Sequence, residues 1–67
     1  MGGIEMYRFE CEKENWQASW TRTAKHFYGE SFTPTALHLA YCKKKISEIF
    51  KVELEDVIVY QNDSAIL

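Results

Sequence analysis

Sixty-seven residues with a formal net charge of −2 leave room for one small domain, and a hydrophobic fraction of 46% that includes ten aromatic side chains excludes a disordered chain. The weakly acidic balance argues against a dedicated duplex-DNA binder, which usually carries a basic face or a high pI. Two cysteines are too few for a disulfide-dense secreted framework, and no apolar run approaches the ~20 residues of a membrane-spanning helix.

Charge is unevenly placed along the chain. Residues 1–14 carry two basic and four acidic groups, residues 15–29 carry Arg22 and Lys25 with no acid, residues 34–51 carry four lysines against Glu48, and residues 52–67 carry four acids and no base. The centre is therefore basic and both ends are acidic, a pattern that suits internal pairing and solubility. The opening MGGIEMYRFE lacks the basic and apolar regions of a signal peptide, and Met6 stands where a myristoylation pattern needs Ser or Thr. A cytoplasmic, reducing setting is expected. Residues 1–3 are expected to be a disordered start or an expression remnant, and residues 4–67 the domain.

The chain opens with an expected strand from Ile4 to Glu12, in which Tyr7, Phe9 and Cys11 alternate with Arg8, Glu10 and Glu12. A polar loop at 13–15 follows. Trp16, Ala18 and Trp20 then alternate with Gln17, Ser19 and Thr21, which predicts a second strand over 16–25. The four-residue step between the tryptophans also fits a helix, but the run of threonines disfavours one. HFYGESF at 26–32 reads as an apolar connection, with Gly29 offering a positive φ and Phe32 placed to pack near Leu37 or His38 as a hydrophobic staple.

The long helix is predicted over 33–51, with Thr33 as its N-cap and Pro34 at its first position. Ala36, Leu39, Cys42, Ile46, Ile49 and Phe50 recur at helical spacing, and Leu37 and Tyr41 lie to one side of that stripe. An acidic turn at 52–56 leads to Val57–Tyr60, a continuous apolar run that reads as a central strand. A turn at 61–64 and a short strand or tail at 65–67 complete the chain.

The expected order is strand, strand, helix, strand: an α+β domain with a hairpin and one long helix on a mixed sheet. The stretch CKKKISEIFKVELEDVIVY resembles the helix-to-third-strand passage of β-grasp (ubiquitin-like) domains. That resemblance implies a β-grasp-like layout. The turn between helix and strand lacks Gly and Pro, only seven residues follow Tyr60, and no Gly-Gly tail is present, so conjugation is not implied.

Several groups of residues have the types that chemistry uses. Cys11, His26, His38 and Cys42 supply the donor count of a zinc site, but their spacing matches no common finger, and both cysteines sit on apolar stripes; no metal and no cofactor is expected. Cys42 beside His38 or His26 could form a thiol–imidazole pair, yet nothing near it resembles an activating environment, and no enzyme activity or small-molecule substrate is expected. Glu53, Glu55 and Asp56 read as a solvated turn.

Two binding readings remain. The leading one is a non-catalytic protein-interaction or regulatory module acting through its sheet face, strand edge or helix surface, with Phe27, Tyr28, Leu37 and Tyr41 as anchors and another protein or a second copy as partner. The alternative is a nucleic-acid binder that uses Trp16, Trp20, Arg22 and Lys25 of the second segment with Lys43, Lys44 and Lys45 of the helix.

Overall fold

The structure, a computed structural model, describes residues 6–67. The expectations for residues 1–3 and for Ile4 lie outside the described residues. The first strand, β1, runs Tyr7–Cys11, and a single 3-10 turn at Glu12–Glu14 carries the chain into β2, Trp16–Ser19. Asn15 makes the turn in the left-handed region with φ 50°, a conformation its short polar side chain tolerates better than most.

Ser19 ends β2 and starts a helix. Its side-chain oxygen accepts from the Arg22 backbone N–H at 3.1 Å, while its carbonyl accepts from the Thr23 hydroxyl at 2.8 Å. Helix α1, Trp20–Tyr28, follows directly and ends at Gly29, whose φ of 82° suits a residue without Cβ. The second strand therefore stops at Ser19 instead of reaching residue 25. Capping decides the matter: Trp20, Ala24, Phe27 and Tyr28 form a helical apolar face, and Thr23 buries its hydroxyl on a backbone carbonyl instead of exposing it. Replacing Ser19 with Ala is expected to cost about 1 kcal/mol, measured as a lower urea midpoint at an unchanged slope.

Helix α2 runs Ala36–Phe50, so the cap is Thr35 and not Thr33. Pro34 holds the preceding residue extended. His38 completes a reciprocal cap, its Nδ1 accepting from the Thr35 N–H at 3.0 Å while Thr35 Oγ1 accepts from the His38 N–H at 3.4 Å. Phe32 meets the His38 ring with centroids 4.7 Å apart, whereas Leu37 points outward. Lys51 closes the helix in the left-handed region with φ 58°, the role a glycine usually takes. A second 3-10 turn at Leu54–Asp56 precedes β3, Val57–Gln61, and a turn through Asn62 leads to β4, Ser64–Ala65.

The domain is α+β, and the described residues form an antiparallel four-stranded sheet in the order β2-β1-β3-β4 and two α-helices. The expected mixed sheet is replaced by one that is antiparallel throughout, and two helices instead of one link the second strand to the third, so the β-grasp layout finds no support here. The strand β3 is central as expected, between β1 and β4, but the helices cover only one of its faces: Val57 and Val59 are buried, Ile58 and Tyr60 half-buried. Register sets the core rows. Phe9 lies between Ala18 and Val59, and Cys11 between Trp16 and Val57. Onto these rows pack Trp20 and Ala24 of α1 with Leu39, Cys42 and Ile46 of α2.

Candidate functional site

Both tryptophans belong to the packed side of the molecule, in different roles. Trp20 is 6% exposed. Its ring meets Phe9, Tyr28 and Phe32 at centroid separations of 6.3, 6.3 and 5.6 Å, and its indole N–H donates to the Phe32 carbonyl. Trp16 is half-buried and stands edge-on to Phe50 at 5.3 Å. Sequence spacing put the two indoles on one strand face; the helix start at Trp20 moves one into the core and leaves the other at its margin.

That margin is one wall of a cleft of ≈ 410 Å³ between the two helices. From β2 come Trp16 and Ala18; from α2 come Ile46, Ile49 and Phe50; from α1 come Thr23 and Phe27, with Arg22 and His26 one turn apart at the rim. Among the described residues no carboxylate lines it. Ile49 is 57% exposed although its neighbours Ile46 and Phe50 turn inward. Arg22, at the third position of α1, sits at the positive end of that helix, where a cation is unfavourable. Its side chain has no hydrogen bond or ion pair among the described residues.

Ile49 also belongs to a row on the outer surface of α2. Leu37, Tyr41, Lys45 and Ile49 are spaced by four and form one row on the helix surface. Leu37 is 81% and Tyr41 47% exposed, and the Lys45 ammonium lies 6.0 Å from the Tyr41 ring centre while pairing with Glu48 at 3.7 Å. Of the four expected anchors, Tyr28 meets Tyr41 with centroids 5.8 Å apart, and Leu37 lies one turn from Tyr41. Phe27 belongs to the cleft itself. Ile49 escaped sequence reasoning because its place in the apolar stripe read as core; its signal was membership of the Leu37–Tyr41 row.

The residues of the nucleic-acid alternative are dispersed. Trp20 is in the core, Lys25 is exposed but does not line the cleft, and Lys43, Lys44 and Lys45, being consecutive, fan across about 200° of helix surface.

The cysteines and histidines each have a local structural task. Both thiols are free and buried. His38 caps α2, and His26 stacks edge-on to Phe27 at 4.8 Å. Among the described residues no three His, Cys, Asp or Glu side chains come together as metal ligands would. Burial pushes the Cys42 thiol above its ordinary value of 9.0, and a hydrogen bond from Tyr28 only partly offsets this. The Tyr28 hydroxyl is itself raised, first by burial and then by the neighbouring thiol. Such a thiol stays protonated at neutral pH, the opposite of an activated nucleophile.

Both groups hold their protons more tightly folded than unfolded. The folded state therefore binds more protons above pH 9.0, and stability falls as pH rises through and beyond that value. Urea titrations at neutral pH and above pH 9.0 are expected to show this loss, and Cys42→Ala to reduce its slope.

The open face of the sheet is polar and internally paired. Arg8 lies over the Tyr60 ring at 4.2 Å, donates to Glu10 at 2.8 Å and reaches the Asn62 carbonyl at 2.9 Å. The outer edge strand β2 spans four residues, between a 3-10 turn and α1. Among the described residues no helix is long and apolar enough to cross a membrane. No protein-family model matches the chain, and neither the curated proteins nor the solved structures searched contain a match to it.

Proposed function

We propose that this domain is a non-catalytic protein-interaction module whose working surface is the α1–α2 side, centred on the cleft and the exposed row of α2. The carrying observation is the open apolar cleft lined by Trp16, Phe27, Ile49 and Phe50, with Tyr41 and Leu37 exposed farther along the same helix. An open apolar cleft of this kind marks interaction sites, whereas isolated exposed apolar residues need no explanation. The other two surfaces fit less well. The sheet face satisfies its own charges, and the edge strand is short. Two buried, unbridged thiols accord with a reducing, cytoplasmic setting.

A selection from a random peptide library displayed on phage tests this reading, with Ile49→Gln as the counter-screen. Gln is a good helix former and carries no charge, so the variant removes only the apolar contact. Enriched peptides that bind the native domain and not the variant are expected. No enrichment, or enriched peptides indifferent to position 49, would contradict the reading. Retention of a single-stranded oligonucleotide that weakens steeply with salt would favour the nucleic-acid alternative instead.

A further inference from the structure

Resting on the interaction reading above, we infer that the occupant of the α1–α2 cleft is an acidic amphipathic helix of another protein: apolar side chains enter the cleft and its flanking carboxylates meet Arg22 and His26. Three features of the molecule converge on this chemistry. The cleft is bounded by two helices, the setting in which a third helix lays an apolar stripe into a groove. Its rim carries Arg22 and His26 and, among the described residues, no acid, although the chain as a whole has more acids than bases.

Arg22 supplies the third. It is exposed, makes no ion pair or side-chain hydrogen bond among the described residues, and adds its charge to the positive end of α1. An acidic residue there would stabilise the helix, so the arginine is placed against the interest of the fold. Lys25, Lys43, Lys44 and Lys51 also lack an ion pair among the described residues, but none of them lines the cleft, so what sets Arg22 apart is its place. Arg22 stands at the mouth of the apolar cleft, where a guanidinium engages a carboxylate through two parallel hydrogen bonds. The same polarity disfavours a basic partner, since like charges across an interface repel.

The probes are two fluorescein-labelled peptides of roughly 18 residues, about five helical turns. Both carry leucines at i, i+4 and i+7; one has Glu at every flanking position and the other Lys. The acidic peptide is expected to bind at least about tenfold more tightly, with an affinity that falls as salt rises. Arg22→Glu is expected to reverse the preference while melting no lower than the native domain, because it improves the charge at the start of α1. Ile49→Gln is expected to weaken the acidic peptide without changing the preference.

Equal binding of both peptides, lost in Ile49→Gln, would overturn the acidic partner and leave the interaction reading standing. Absence of binding by either peptide would overturn it as well, and the library selection alone would then judge the interaction reading. A dimer in sedimentation equilibrium that dissociates in Ile49→Gln would overturn it in favour of a second copy as occupant.

Discussion

Replacing Trp20 with Ala is expected to leave the domain largely unfolded at room temperature. A chain of this length has a total stability of roughly 3–10 kcal/mol, taking ~0.05–0.15 kcal/mol per residue. Deleting a buried Trp side chain removes about 3–5 kcal/mol through lost transfer energy and the cavity it leaves. Trp20 also donates its indole N–H to the Phe32 carbonyl, and stranding that acceptor adds a further ~1–3 kcal/mol if it stays buried. The ring joins β1 through Phe9, the end of α1 through Tyr28 and the inter-helix connection through Phe32, so its loss loosens three elements together. Circular dichroism is expected to show loss of helical signal and of a cooperative melt. Trp16→Ala, at a half-buried ring against Phe50, is expected to cost less and to keep the fold.

Ile49→Gln is expected to do the reverse: to weaken partner binding strongly and leave stability where it was. The side chain is 57% exposed, and surface changes away from caps and buried networks usually stay within about ±0.5 kcal/mol. The exchange also gains slightly in helix propensity, since Ile is β-branched and Gln is not. Within a bound interface the same side chain would lie between the cleft and the Tyr41 row, where a central apolar anchor contributes ~2 kcal/mol or more. That corresponds to a loss of about 30-fold in affinity. Paired calorimetric melts and peptide titrations check both halves. A variant that binds as well as the native chain removes Ile49 from the working surface; one that unfolds makes it a structural residue.

How far the sequence spoke for the structure depended on whether one signal or two competed at each place. The alternation of Tyr7, Phe9 and Cys11 had no rival and became β1, and the run Val57–Tyr60 became the strand between β1 and β4. The period of α2 was equally plain, although its cap moved from Thr33 to Thr35. Two threonines flank Pro34, and only the second has a His three residues on to complete the reciprocal cap. At 16–20 the signals overlapped. Trp16, Ala18 and Trp20 alternate as a strand, while Ser19 before Trp20 and Ala24 is also a helix start, and the preference of threonine for strands weighted the wrong side. Gly29 carried the missing information: its positive φ was legible, but as a loop residue, not as the end of a helix.

The site was legible only in part, for the same reason. Tyr41 and Leu37 could be named from spacing, because a row beside the main stripe of α2 needs no knowledge of α1. The cleft could not, since it exists only because α1 exists. Arg22 consequently read as a residue of the second strand, when it stands on a helix at the rim of an apolar opening.

The most direct test of the account is to titrate the ¹⁵N-labelled domain with the acidic amphipathic peptide and follow each backbone amide by nuclear magnetic resonance. Shifts concentrated at Arg22, His26, Phe27, Ile49 and Phe50, with Arg8, Glu10 and Tyr60 unmoved, are the predicted result. Shifts confined to Arg8, Glu10, Gln17 and Tyr60 on the open sheet would contradict it.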